Sequence, residues 1–105
     1  MNKSKTNRLD NFRQEKLVAL IKFGHPRHVN KMLKHKNAYY RATLAIYGTE
    51  ENRSKLMNDK NPEVREAIAD YTTDYNKANK LTSDDNSRVR SAAMGRLQYL
   101  GYGRR

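Results

Sequence analysis

A nine-residue pattern appears three times in this chain and limits what it can become. Asn61-Pro62-Glu63-Val64-Arg65-Glu66-Ala67-Ile68-Ala69 returns further along as Asn86-Ser87-Arg88-Val89-Arg90-Ser91-Ala92-Ala93-Met94. A looser copy precedes both at almost the same interval, as Asn37-Ala38-Tyr39-Tyr40-Arg41-Ala42-Thr43-Leu44-Ala45. Between the copies Met32, Leu56 and Leu81 keep the same spacing, as do Asp59 and Asp84. A period of this length marks a supersecondary unit that cannot bury its apolar face alone and must stack on its neighbours.

Each copy reads as the start of a helix. Asn37, Asn61 and Asn86 are side chains suited to accept from the unpaired N–H groups of a first turn. Pro62 then takes the first helical position, where a missing donor costs nothing. Tyr40 and Leu44, Val64 and Ile68, and Val89 and Ala93 are four apart and share a face. The small residues at 42, 45, 67, 69, 92 and 93 let helices approach closely, and Gly48 and Gly101 are positioned as stops. Extended over the chain, the pattern predicts helices over about 10–23, from an Asp10 cap to Gly24, and about 26–35. It predicts others over about 37–47, 50–57, 62–71, 74–81 and 87–100. Phe12, Leu17, Leu20 and Ile21 point inward on the first. Connections of about two to five residues suit stacked helix hairpins.

The stretch Leu56-x-x-Asp59-x-Asn61-Pro62-x-Val64-Arg65-x-Ala67-Ile68-Ala69, echoed from Leu81, resembles the leucine-rich repeat variant, a relative of the HEAT-like repeats. The resemblance spans about residues 25–100. It implies an all-α, right-handed-type short solenoid of stacked helix hairpins. About three units, each one motif period long, follow an N-terminal helix in such a solenoid. The resemblance also implies a binding scaffold rather than an enzyme. Some members carry an iron–sulfur segment, which a chain without cysteine cannot hold. Certain DNA glycosylases are built from related repeats, but none of their active-site residues finds a match here. The expected organisation is a basic arm over 1–9, a helical-repeat domain over 10–101 and a basic tail over 102–105.

Charge supplies the functional reading. The formal net charge is +11, and it is unevenly spread. Residues 16–49 hold seven cations and no acid, residues 50–85 hold six cations and nine acids, and residues 86–105 hold five cations and no acid. Lys22, Arg27, His28, Lys31, Lys34, Lys36 and Arg41 form the first basic block. On a helix from Pro26, positions 27, 31 and 34 share the face opposite Val29, Met32 and Leu33. A merely solvated face does not require acids to be excluded all the way from position 16 to position 49. Like charges on adjacent turns also repel, so an anionic partner is implied. Arg96, Arg104 and Arg105, interleaved with Tyr99 and Tyr102, add a C-terminal cationic and aromatic cluster suited to phosphate contact and base stacking.

The repeated arginines divide on the same grounds. Arg65 with Asp59, and Arg90 with Asp84 or Asp85, are expected to form a structural ladder. Arg41 has Lys34, His35 and Lys36 upstream instead of an acid and is the one expected to meet a partner. Tyr40, Tyr47, Tyr71 and Tyr75 fall at packing positions, whereas Tyr39 is the tyrosine expected to be exposed. His25 reads as a cap before Pro26.

Several classes fall away. Without cysteine there are no disulfides, thiol nucleophiles or cysteine-bound zinc. No metal or other cofactor is expected, since cations surround His25, His28 and His35. Nothing resembles a nucleophile elbow or a phosphate-cradling glycine loop. The strongest apolar run, Leu17 to Ile21, is too short for a bilayer, and the expected setting is cytoplasmic. The sequence therefore predicts a non-enzymatic module that binds RNA or DNA phosphates. The alternative is a protein–protein adaptor or inhibitor docking on a nucleic-acid-handling enzyme, of the kind that bacteriophages and mobile elements carry.

Overall fold

The computed structural model describes residues 14–102, and every regular element among them is a helix. Helix α1 covers 14–23, followed by α2 (Pro26–Leu33), α3 (Ala38–Tyr47), α4 (Glu50–Leu56), α5 (Pro62–Tyr71), α6 (Tyr75–Leu81) and α7 (Ser87–Tyr102). The expected Asp10 cap, Phe12 and the arm over 1–9 lie outside the described residues.

The helices begin where the sequence provides caps. The side-chain oxygens of Asn37, Asn61 and Asn86 accept the N–H of Tyr39, Glu63 and Arg88 at 2.9, 2.8 and 2.9 Å. His25 caps α2 through Nδ1, which accepts the Arg27 N–H at 3.1 Å. Thr49 and Asn52 form a reciprocal capping box on α4. Gly48 ends α3 because a side chain does not fit there: a Cβ would lie 2.5 Å from both the Leu44 carbonyl and Asn52 Oδ1. Gly101 does not act as a stop. It lies within α7, as does Gly95. An open-sided glycine costs a helix about 1 kcal/mol, which weakens it without ending it. Helix α2 ends at Leu33, two residues before the expected end, and Lys34 is its C-cap.

Helices α3, α5 and α7, each opened by a copy of the motif, pack side by side in chain order, with α3 on α5 and α5 on α7. The shorter α4 contacts α3 and α5, and α6 contacts α5 and α7. Equivalent positions of the copies meet in one core. Leu44, Val64, Ile68, Val89 and Ala93 are fully buried, and Met32, Leu56 and Leu81 are buried beside them. Each large aliphatic side chain so placed contributes about 1.5–3 kcal/mol. Tyr40 and Tyr47 are half-buried as expected, but Tyr71 and Tyr75 are exposed on the surface.

The helices of the row are also tied by a repeated polar link, which runs opposite to the direction the sequence suggests. Arg41 donates Nε and Nη2 to Asp59 at 2.7 and 3.1 Å, and Arg65 donates the same pair to Asp84 at 2.8 and 3.0 Å. Each arginine thus grips the aspartate that precedes the next helix of the row, not the one upstream of its own. The upstream residue contributes a carbonyl instead: Nη1 of Arg41, Arg65 and Arg90 donates to the carbonyls of His35, Asp59 and Asp84. The aspartates have a second task. Their Oδ1 atoms accept the N–H of Asn61 and Asn86, each at 2.9 Å. Two parallel charge-assisted hydrogen bonds in a part-buried setting are among the stronger polar contacts a protein makes.

Burial works to raise the Asp59 carboxyl, but the hydrogen bonds from Arg41 and the Asn61 N–H outweigh it and hold it below its usual range. The hydrogen bond from Arg65 holds Asp84 down in the same way. Lowered carboxyls stabilise the fold above the ordinary carboxylate range, and that stability is lost as pH falls through about 4 and below.

Two outcomes are expected. Val64→Asp places an unpaired charge at a fully buried position, a cost of several kcal/mol against a total of about 5–15, so cooperative thermal unfolding disappears. Asp84→Asn strips Arg65 of its carboxylate and lowers stability at neutral pH by about 2–4 kcal/mol. That gap narrows as the parent protonates below about pH 4, a convergence that thermal melts across pH would reveal. Parallel curves would show that Asp84 is not a source of the acid sensitivity.

Candidate nucleic-acid interface

Helix α2 has an apolar side and a basic side. Met32 is buried and Val29 and Leu33 are half-buried against the core, which leaves Arg27 and Lys31 exposed. Lys34 and Lys36 are exposed in the turn that follows, and Lys22 is exposed near the end of α1. None of these five cations meets a carboxylate among the described residues. His28 is half-buried. The charge is oriented as well as concentrated: Lys31 and Lys34 lie at the C-terminal end of α2, where the helix dipole favours cations.

The turn leads into a shallow groove between the starts of α3 and α5, lined in part by Lys36, Tyr39, Lys60, Pro62 and Glu63. Tyr39 is 45% exposed, and Lys36 and Lys60 are exposed with it. A tyrosine ring flanked by two ammonium groups can stack a base while the lysines meet its phosphates. Lys60 was not legible as a site residue because it lies in the acid-rich middle of the sequence. Its position one residue before the Asn61 cap, equivalent to Lys36 before Asn37, was the available signal. The next groove of the row differs in charge. There Asp85 stands at the position of Lys36 and Lys60, and Glu66 pairs with Arg88 at 3.5 Å.

Two predicted residues prove to be structural. Arg41, expected to be the repeat arginine that meets a partner, is 7% exposed and held by Asp59 and the His35 carbonyl. No acid stands close upstream of it, but the one it needs follows 18 residues later. The residue at the aspartate position of the first copy is His35, whose Nδ1 accepts the Asn37 N–H at 3.0 Å and whose ring lies 4.1 Å from that of Tyr40. Arg96 is half-buried and closes the C-terminal end of α5, donating Nε to the Thr72 carbonyl at 2.7 Å and Nη2 to that of Tyr71 at 3.4 Å. Its guanidinium also lies 4.7 Å from the centre of the Tyr99 ring. Arg104 and Arg105 lie outside the described residues, as does the side chain of Tyr102.

One buried cluster escaped the sequence reading. Arg53 is 8% exposed and donates to the Ala45 and Ile46 carbonyls, closing the end of α3. It also donates to Glu50 at 2.8 Å. Glu50 accepts in addition from the Thr72 hydroxyl and the Thr73 N–H, and Lys77 lies 3.4 Å away. Burial pushes the Glu50 carboxyl up, but the Thr73 N–H, the Thr72 hydroxyl, Arg53 and Lys77 together bring it below its usual range. This network joins the start of α4 to the turn before α6.

Among the described residues no group of three or more His, Asp or Glu side chains is placed to hold a metal ion, and no helix is long and apolar enough to cross a membrane. No protein-family model, curated protein or solved structure matches the chain.

If Glu50 is the clasp between the two turns, Glu50→Gln should cost about 1–3 kcal/mol, because Arg53 and Lys77 lose the charge they share. Denaturant melts of the parent and the variant would read that loss, and equal midpoints would show that Glu50 does not clasp the two segments.

Proposed function

We propose that this chain is a non-enzymatic binding module that contacts the phosphates of RNA or DNA through the face formed by α2, the turn after it and the Lys36–Tyr39–Lys60 groove. We further propose that its helices form a short solenoid of stacked pairs of the leucine-rich-variant and HEAT-like kind, with α3, α5 and α7 as one row. The observation that carries the function is the set of exposed cations at Lys22, Arg27, Lys31, Lys34 and Lys36, which have no carboxylate partner among the described residues. The acids that could have neutralised them, Glu50, Asp59, Asp74 and Asp84, are bonded within the helix stack instead.

Binding of this kind draws its free energy from release of counterions condensed on the nucleic acid, so it weakens steeply as salt rises. The affinity should fall with a log–log slope of roughly −0.7 to −0.9 per phosphate contacted. Tyr39 adds a term that salt does not screen, since a base stacked on an aromatic ring contributes about 1–3 kcal/mol. Phosphates are common to RNA and DNA, so the face does not by itself choose between them.

Arg27→Glu, Lys31→Glu and Lys34→Glu together should abolish binding of a labelled oligonucleotide while leaving the circular dichroism of the fold unchanged, because all three side chains are exposed. Tyr39→Ala should weaken binding by about 1–3 kcal/mol for each stacked base lost and leave the salt slope as it was. A parent protein with no salt-dependent affinity for RNA or DNA at about 100 mM salt would end this reading.

A further inference from the structure

Among the described residues the arginine–aspartate row goes as far as Arg90, whose outer edge is left without the aspartate that its counterparts hold. Arg90 occupies the motif position of Arg41 and Arg65. Its Nη1 donates to the Asp84 carbonyl at 2.8 Å, as Nη1 of Arg65 donates to that of Asp59 at 2.6 Å. The guanidinium is therefore anchored by the same contact as its two counterparts. The Nε–Nη2 edge, with which Arg41 and Arg65 hold their aspartates, meets no carboxylate among the described residues.

The surface beside it is also incomplete. Ala45 and Ala69 lie at equivalent positions on α3 and α5, each of which has the next helix of the row packed on it, and both are fully buried. The third equivalent, Met94 on α7, is 53% exposed. A pre-anchored guanidinium fork next to an exposed thioether has, in this chain, two fully formed precedents, and both show what covers such a surface.

We propose that the outer face of α7 is a docking site for a helix of a partner protein whose lead carries an aspartate two residues before its N-cap, in the order Asp-x-Asn. In both internal precedents the carboxylate serves the arginine fork and the cap N–H at once, so a helix entered through that sequence satisfies both. A second copy of this chain does not meet the requirement. Its Asp59 and Asp84 are already held by Arg41 and Arg65, and its first copy presents His35, which has no pair of oxygens to offer. A phosphodiester backbone can meet the fork, but it leaves the exposed Met94 uncovered and brings no cap N–H for the shared acceptor to satisfy. This site lies on the last helix, apart from the basic face on α2, and does not depend on the nucleic-acid reading.

The probe is the chain's own internal ligand, an acetylated and amidated peptide of residues 58–71. Asp70→Lys in the peptide allows a lactam to Glu66 that fixes the helix. In the protein both positions turn toward α7 rather than α3, since Glu66 pairs with Arg88 and Asp70 lines the groove with Ser91. The staple therefore spares the face that meets Arg41. Titrated into the isotope-labelled full chain, the peptide should give saturable shifts at the Arg90 Nε–H and the α7 amides. An Asp59→Asn peptide should bind about tenfold more weakly or worse, while a Glu63→Gln peptide of the same net charge should bind like the parent. Arg90→Gln and Arg90→Lys in the protein should each lower affinity by a similar factor, with no more loss of thermal stability than the one hydrogen bond to the Asp84 carbonyl explains, since lysine keeps the charge but not the fork. The proposal is overturned if the Asp59→Asn and Glu63→Gln peptides bind alike, if α7 shows no saturable shift, or if an RNA oligonucleotide moves the Arg90 Nε–H and the peptide does not.

Discussion

The arginine fork on the aspartate ahead of the next helix is the contact on which this structure depends. One carboxylate performs two tasks that proteins usually divide. It fixes the turn that starts a helix, by accepting the asparagine N–H, and it fixes where that helix sits, by accepting Nε and Nη2 from the helix before it. Chain direction and lateral packing are therefore set by the same two oxygens. Burial of Leu44, Val64, Ile68 and Val89 drives the helices together but is not directional. The charge-assisted link between successive helices adds the direction and spacing.

Acids bound within the stack are not available to its surface. Glu50, Asp59, Asp74 and Asp84 are each committed to a cap, an arginine or a lysine of the stack. Three arginines, Arg41, Arg53 and Arg65, are consumed with them, whereas the lysines of α2 and its turn have no such partners among the described residues. A formal charge of +11 consequently understates the asymmetry of the molecule. Four carboxylates are spent on the stack, and the exposed cations of α2 and its turn are left without them.

Much of this organisation was legible in the sequence, because it is local. The asparagine caps, Pro62 at a first helical position, His25 before Pro26 and the four-residue spacing of Val64 and Ile68 each depend on residues within one turn of each other. The errors fall where the partner is distant. Arg41 looked unpaired because its aspartate lies in the next unit, 18 residues on, and a reading by proximity assigns Arg65 to Asp59, the wrong end of the link. Arg53 and Glu50 gave no warning, since nothing in their spacing of three distinguishes a clasp that spans two turns from an exposed helical pair. Gly101 was misjudged for another reason: glycine weakens a helix without ending it, and crowding at its Cβ position shows only whether glycine is required there. Gly48 has neighbours at 2.5 Å, and Gly101 has none within 4 Å.

A link of this kind has a direction, and a row built from it has unlike ends. Arg41 and Arg65 reach forward and Asp59 and Asp84 are reached from behind, so the first copy needs no aspartate and Arg90 finds none among the described residues. His35 fits the first condition: its Nδ1 takes over the capping hydrogen bond to Asn37 while presenting nothing to a fork. The first copy of the motif has α2 packed against its helix instead of another copy, so a carboxylate at position 35 would have no fork to meet. The same residue that makes the first unit look like a poor copy of the motif thus keeps the cap of α3 and leaves no unpaired acid behind it.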